Sequence, residues 1–318
     1  MNLKIKNCKL KIIFIGTPEF GAIILEGLVK KNYRPILVIT SPDKPVGRKK
    51  IIVPPPVKIT AEKYNLPIFQ TEKSSDLKPQ IKKINPDLII SASTKLILPK
   101  EVLKIPKYGC LNVHPSLLPK YQGPSPIQTA ILNGDKKTGI SIILMTEKID
   151  RGPVIFKKEY PLSNKETLQT LTKNLAQLGA NVLIEIIPKW IKGKIKPRPQ
   201  KGKPVFTKII KKEDGKINWK KSAEEIERQF RAFYPWPGIF TFWKKNDKKL
   251  RLKILKLKIN GAKKGTKPGL VFLKDNKLHI NCKDKSIIVY QLQLEGKKSM
   301  EVKEFLKGHS SIIDTELI

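Results

Sequence analysis

Short segments that are mostly apolar alternate with segments whose apolar residues recur at helical spacing over the first two-thirds of the chain. The apolar segments predicted as strands cover residues 11–15, 35–40, 86–91, 110–114 and 139–145. Strands that are apolar throughout are typical of a parallel sheet covered by helices on both faces. We therefore expect an α/β fold, with a Rossmann-like and mostly parallel sheet in the N-terminal domain.

Helix signals lie between these strands. Thr17 precedes Pro18 and Glu19, a pattern that predicts an N-cap at Thr17 and a helix beginning at Pro18. A further helix is expected near residues 126–132. Ser163 and Glu166 have the spacing of a capping box, which predicts a long helix over residues 165–187.

The last third has a different pattern. Residues 193–207 are rich in Lys, Pro and Gly and are interpreted as a linker. A second capping box at Ser222 and Glu225 predicts a helix, and short β-patterned stretches separated by turn residues follow it. These stretches cover residues 250–259, 269–273, 278–282 and 286–294, with a short helix near 301–307. We expect a first domain over residues 1–192 and a smaller OB-like β-barrel over residues 208–318.

Length and composition limit the class of protein. A chain of 318 residues is long enough for two domains with sizeable cores. The longest apolar runs are far too short to span a bilayer, so we expect a cytoplasmic protein with no membrane partner. Three scattered cysteines and three histidines suggest neither a disulfide framework nor a metal site.

The charge is strongly basic, at +37 from 64 basic and 27 acidic residues. Such an excess favours an acidic partner, with nucleic acid as the first candidate. Most basic residues are lysines spread over both halves, which a genomic composition bias would also produce, so both interpretations stay open. The segment after the first strand is neither a dinucleotide fingerprint nor a Walker loop, and a dinucleotide or ATP requirement is not supported.

Asn112 and His114 are the most informative residues in the chain. They end a predicted strand, and the pleat places residues two apart on the same face. A carboxamide and an imidazole aimed from a strand end into a crevice can stabilise a developing negative charge. The alternative is structural, because an Asn near a strand end often bonds local backbone only.

Several motifs, read together, give the chain a family resemblance. They cover residues 14–20, 41–48, 54–58, 112–119, 123–128, 138–141, 149–152 and 231–238. The chain resembles the methionyl-tRNA formyltransferase family, and the Asn-x-His, Ser-Leu-Leu-Pro and Asp core is shared by the folate-dependent formyltransferases. The resemblance implies 10-formyltetrahydrofolate as the formyl donor, initiator methionyl-tRNA as the acceptor and no metal; we expect a monomer.

The resemblance also assigns roles to residues of this chain. Catalysis would fall to Asn112, His114 and Asp150, with Asp150 assisting proton transfer. The folate pocket would be lined by Ser116, Leu117, Leu118 and Pro119 and by Leu96, Ile97 and Leu98, for which core packing is an equal interpretation. A basic, proline-rich insertion carrying Arg48, Lys49 and Lys50 would contact the tRNA.

Two departures and two rival functions stay open. Gln122 stands where the family usually has Arg, and residues 91–95 replace a more usual aromatic–glycine pair. The first rival is a formyltransferase for a small amine, such as an amino sugar nucleotide or glycinamide ribonucleotide. The second is a catalytically silent RNA-binding protein. The basic insertion argues against the first, and the intact set of Asn112, His114 and Asp150 argues against the second.

Overall fold

The structure is a computed structural model that describes residues 10–47, 50–246, 248–261 and 264–318. The chain divides into two compact units. The first unit contains the residues up to Ile127 together with Lys136–Ser163 and Thr170–Lys208. The second contains Gln128–Asp135, Asn164–Gln169 and Ile209–Ile318.

Strands and helices alternate through the first two-thirds of the chain, as the apolar pattern predicts. The strands are β1 (Ile12–Gly16), β2 (Leu37–Thr40), β3 (Lys44–Val46), β4 (Ile51–Val53), β5 (Ile68–Gln70), β6 (Leu88–Ala92), β7 (Cys110–His114), β8 (Lys137–Leu144) and β9 (Val154–Pro161). The helices are α1 (Glu19–Lys30), α2 (Pro56–Lys63), α3 (Leu77–Ile84), α4 (Lys100–Leu103), α5 (Pro126–Asn133) and α6 (Leu168–Ile191).

The first unit is built on a seven-stranded sheet of order β5-β2-β1-β6-β7-β8-β9. The pairs from β5 to β7 are parallel, whereas β8 runs antiparallel to both β7 and β9. The strands β1, β2 and β6 are buried at every position, which explains why most of their residues are apolar. The predicted Rossmann-like, mostly parallel sheet is confirmed.

The second unit carries an antiparallel sheet. Its elements are α7 (Ala223–Phe233), β10 (Ile239–Lys245), β11 (Lys248–Asn260), β12 (Val271–Lys274), β13 (Lys277–Asn281), β14 (Ser286–Leu294), β15 (Ser299–Glu301) and α8 (Val302–His309). The order is β10-β11-β14-β13-β12, with β15 paired to β14. Strand β11 is long and has register shifts between Ile254 and Leu257, which bend a sheet. This curled sheet confirms the predicted OB-like fold class.

Of the three capping predictions, the N-cap at Thr17 is wrong, and the one at Ser163 places the helix start too early. Helix α1 begins at Glu19 with Pro18 as its N-cap and no side-chain cap, and the Thr17 hydroxyl instead lies 3.1 Å from that of Ser41. Helix α6 begins at Leu168, so Ser163 and Glu166 do not form its first turn. The capping box at Ser222, by contrast, is confirmed.

The segment 193–207, interpreted as a linker, belongs to the first unit. Arg198 and Val154 exchange both backbone hydrogen bonds, at 2.7 and 2.8 Å. Val205 and Thr207 pair with backbone around Gln122. The segment is therefore held against loops of the first sheet along much of its length.

Candidate active site

The site is built at the carboxyl end of β7. This strand lies between β6, its parallel neighbour, and β8, which runs antiparallel. Asn112 is paired with Ile143 of β8, and His114 is paired with Ser141 of the same strand. The Asn112 side chain is half-buried and His114 is buried at 4% exposure. Pleating thus presents both side chains on one face, as the sequence predicts.

Asp150 comes to this strand end from the loop between β8 and β9. Its Oδ1 lies 3.3 Å from Nδ2 of Asn112 and 3.4 Å from Nδ1 of His114. Its Oδ2 accepts a hydrogen bond of 2.8 Å from the Gly123 backbone N–H. The side chain is only 9% exposed. The structure therefore brings all three sequence-predicted catalytic residues together.

The other nitrogen of His114 fixes its tautomer. Nε2 lies 2.9 Å from the backbone oxygen of Tyr121, which can only accept. Nε2 must therefore carry a hydrogen, and this leaves Nδ1 as the nitrogen that faces Asp150. Any proton exchanged with a reacting group in this cluster passes through Nδ1.

The loop that carries Asp150 depends on a glycine two residues further on. Asp150 itself has φ +54°, a left-handed conformation that Asp tolerates better than most residues. A Cβ added at Gly152 would lie 1.8 Å from the Leu144 carbonyl oxygen. The chain can turn this closely around the end of β8 only because residue 152 has no side chain.

The predicted folate loop, Ser116–Pro119, is held by β8 and β9. The buried Ser141 hydroxyl accepts from the Leu118 backbone N–H at 3.0 Å and donates to the Ser116 carbonyl at 2.7 Å. The Lys157 ammonium donates to the Leu118 carbonyl, and burial lowers the pKa of Lys157. The side chains of Ser116 and Leu118 are fully buried, whereas Leu117 and Pro119 are half-buried.

Leu96, Ile97 and Leu98 do not share one environment. Leu96 and Leu98 pack into the hydrophobic core with residues of β1, β2 and β6. Ile97 is 54% exposed. Core packing therefore accounts for Leu96 and Leu98, and of the three only Ile97 presents its side chain to solvent. Upstream, Ser93 takes φ +52° at the position where the family usually has the aromatic–glycine pair.

The basic insertion folds in part as a hairpin. Strands β3 and β4 pair antiparallel, and Ile51 and Ile52 are 61% and 70% exposed. Lys50 is exposed at φ +49°. Arg48 and Lys49 lie outside the described residues.

Sequence reasoning missed the groups that orient the site. Ser141, Gly123 and the carbonyl of Tyr121 each bond a predicted site residue. Ser141 and Gly123 fall in motifs that carry the family resemblance, so a signal existed, but the contacts connect positions too far apart in sequence to be inferred from it.

Two negative findings apply to the described part of the chain. It contains no group of three or more His, Cys, Asp or Glu side chains placed to hold a metal ion. None of its helices is long and apolar enough to cross a membrane.

Cys110, two residues from Asn112, is no nucleophile, because burial raises its pKa to about 12 and keeps the thiol protonated.

Comparison with known families defines the class. Residues 10–187 match the formyl transferase family model, and residues 209–310 match the model of the formyl transferase C-terminal domain. Among curated relatives, methionyl-tRNA formyltransferase of Thermodesulfovibrio yellowstonii is 40% identical over 93% of this chain and 95% of its own. That of Halalkalibacterium halodurans is 38% identical over 95% and 96%. The chain belongs to the methionyl-tRNA formyltransferase family.

Solved structures share the fold. HypX from Aquifex aeolicus in complex with tetrahydrofolic acid has a TM-score of 0.65 at 19% identity, covering 94% of this chain and 48% of that one. This chain thus spans about half the length of HypX. The N-formyltransferase of Helicobacter canadensis, in complex with folinic acid and dTDP-3-aminofucose, has a TM-score of 0.61 at 22% identity and covers 88% and 98%.

Proposed function

We propose that Asn112, His114 and Asp150 carry out formyl transfer from 10-formyltetrahydrofolate to the α-amino group of methionine on initiator methionyl-tRNA. The reaction class and acceptor follow from the family. The observation that supports these three residues is their convergence, with both Asn112 Nδ2 and His114 Nδ1 within 3.4 Å of one carboxylate oxygen.

The proposed chemistry follows from the atoms at the strand end. The acceptor nitrogen attacks the formyl carbon, and the carbonyl oxygen becomes an oxyanion. Asn112 Nδ2 donates a hydrogen bond to this oxygen, as does Nδ1 of His114 when protonated. A preorganised donor of this kind contributes roughly 3–4 kcal/mol to such a barrier.

Two protons move during the reaction. The attacking nitrogen loses one, and the donor's nitrogen gains one as the old C–N bond breaks. Asp150 is placed to take the first and to return a proton to the donor's nitrogen, directly or through His114 Nδ1, because its Oδ1 lies 3.4 Å from that His114 nitrogen. Its other oxygen is held by Gly123, so the carboxylate keeps its orientation while Oδ1 exchanges protons.

The formyl donor is proposed to bind along Ser116–Pro119. The buried Ser141 fixes the backbone of this loop by two hydrogen bonds, so the loop offers the ligand a preformed wall. Ile97 is the member of the second predicted wall whose exposed side chain is available for contact.

The tRNA is proposed to bind through the basic insertion, with Arg48, Lys49 and Lys50 contacting phosphates or unpaired bases. Exposed Ile51 and Ile52 follow directly, which gives this hairpin an apolar edge beside its cations. The second unit, with its excess of lysine, would add phosphate contacts. The protein is proposed to act as a monomer.

The decisive experiment compares acceptors in one assay. The purified chain is incubated with 10-formyltetrahydrofolate and, separately, with initiator methionyl-tRNA, glycinamide ribonucleotide and a dTDP-amino sugar. Mass spectrometry then identifies which acceptor gains a formyl group. Formylation of methionyl-tRNA alone supports the proposal, and faster formylation of either small amine would overturn it.

A further inference from the structure

The segment 198–207 crosses the first unit beside the candidate site, and we refer to it as the strap. At one end, Arg198 exchanges backbone hydrogen bonds with Val154, just beyond the Asp150 loop. At the other, Val205 N–H donates to the Pro119 carbonyl at 3.1 Å, and Thr207 N–H donates to the Gln122 carbonyl at 2.8 Å. The strap therefore joins the two loops that hold Asp150 and His114.

Gln200, in the middle of the strap, bonds the Asp150 loop itself. Its Nε2 donates to the backbone carbonyls of Asp150, at 2.6 Å, and of Gly152, at 2.9 Å. These two acceptors use both hydrogens of the amide. They also fix its orientation, because a flipped Gln200 would place its oxygen against two carbonyl oxygens.

The oxygen of the Gln200 amide bonds the loop that follows β7. Its Oε1 accepts a hydrogen bond of 2.9 Å from Nε2 of Gln122. Gln122 is buried at 4% exposure, and its neighbours Tyr121 and Gly123 bond His114 and Asp150. Gln122 occupies the position where the family usually has Arg, and here it supplies the donor that meets Gln200. A chain of amides thus connects the two loops across the site.

We propose that Gln200 is a positioning residue for formyl transfer, which acts by holding Asp150 in its left-handed conformation. Asp150 has φ +54°, and the carbonyls on which Gln200 acts are its own and that of Gly152. Without these two bonds the loop is free to leave this conformation, and a change at Asp150 would move its carboxylate away from Asn112 and His114. This inference rests on the proposed role of Asp150.

The test is a double-mutant cycle on the full chain. Gln200→Ala is expected to lower kcat for formyl transfer to methionyl-tRNA about 10- to 100-fold, since small displacements of a catalytic group have effects of this size. KM for the formyl donor should change far less. Gln200→Glu, which keeps the acceptor and loses both donors, should lower kcat similarly and serves if the alanine variant is unstable. Gln177→Ala, an exposed glutamine on α6, is the control and should retain wild-type kcat.

The cycle separates positioning from general stability. If Gln200 acts through Asp150, adding Gln200→Ala to Asp150→Ala will not lower kcat further. Losses that multiply, or a Gln200→Ala variant with wild-type kcat, would overturn the proposal. A wild-type kcat for Asp150→Ala would instead refute the proposed role of Asp150, so the two failures can be told apart.

Discussion

At the residue scale, two of the three proposed catalytic side chains are oriented by backbone groups of the loop that follows β7. Nε2 of His114 is bonded to the Tyr121 carbonyl, and Oδ2 of Asp150 is bonded to the Gly123 N–H. One side of each group is thus fixed by the protein, and on the other side Nδ1 of His114 and Nδ2 of Asn112 both lie within 3.4 Å of Oδ1 of Asp150. Preorganisation of this kind removes the cost of ordering polar groups during the reaction.

Ser141 provides a test of the folate loop. Ser141→Ala removes the acceptor for the Leu118 N–H and the donor to the Ser116 carbonyl, both buried. Leaving such groups unbonded costs about 1–2 kcal/mol, so we expect KM for the formyl donor to rise about 5- to 30-fold with a smaller change in kcat. Steady-state kinetics measure both.

The control for this variant is Ser75→Ala, since Ser75 is exposed and bonds only its neighbour Asp76 among the contacts described. It should leave KM unchanged. A Ser141→Ala variant with wild-type KM for the donor would contradict a role of this loop geometry in folate binding.

Several buried strands could be predicted from the sequence. Strand β7 has the predicted bounds, because its buried Cys110, Leu111 and Val113 give a largely apolar segment. The hairpin of β3 and β4 was not predicted, since β4 has only three residues and these are apolar yet exposed, which burial does not explain. Strand β9 was also missed, because Lys157, Lys158 and Glu159 interrupt it in mid-strand.

Helix α6 begins beyond its predicted start. It begins at Leu168 rather than at residue 165, and just before it the Glu166 carbonyl accepts a hydrogen bond of 2.8 Å from the Arg231 guanidinium. Local spacing contains no information about such a contact. Contacts between distant residues likewise explain why Gln200 and Ser141 could not be found from motifs.

The confirmed capping box of α7 allows a stability prediction. The Ser222 hydroxyl accepts from the Glu225 N–H at 3.2 Å, and the Glu225 carboxylate accepts from the Ser222 N–H at 2.9 Å. Loss of such a cap costs about 1 kcal/mol, so Ser222→Ala should unfold at lower urea concentration by that amount. Equal unfolding midpoints for variant and wild type would contradict the assignment.

The same box should make stability pH-dependent. Hydrogen bonds from the backbone and side chain of Ser222 lower the pKa of Glu225 below its usual 4.5. A carboxyl whose pKa is lowered by folding stabilises the protein above the unfolded pKa and loses that contribution as pH falls through the folded pKa. Wild type should therefore lose more stability on acidification below 4.5 than Glu225→Gln, as urea titrations at several pH values would show. Identical pH responses would contradict this.

At the scale of the whole molecule, the net charge of the protein should affect the binding of the two ligands differently. A net charge of +37 favours a polyanion, and the tRNA must displace counterions to bind. The charge alone left open whether a composition bias explains the excess of lysine. The motifs of the first domain predicted the reaction. The sequence patterns predicted the fold and the three residues. They did not predict the strap, which crosses the first unit beside these residues.

The salt dependence of binding tests the polyanion interpretation. Raising salt from about 50 to 200 mM should weaken tRNA binding about 10³-fold or more if six or more phosphates are contacted. Binding of the formyl donor, which is proposed to contact the neutral loop Ser116–Pro119, should change little. Filter binding and fluorescence titration at matched salt measure the two, and equal slopes for both ligands would contradict separate sites.

The central claim is that Asn112 and His114 stabilise the transition state of formyl transfer. The most direct measurement is the single-turnover rate of methionyl-tRNA formylation by Asn112→Ala and His114→Ala, with tetrahydrofolate affinity measured on the same preparations. Asn181→Ala, an exposed asparagine on α6, is the matched control. We expect the rate to fall about 10²- to 10³-fold in both site variants with affinity nearly unchanged. A near-normal rate in either variant, or a rate loss fully explained by weaker folate binding, would contradict the account.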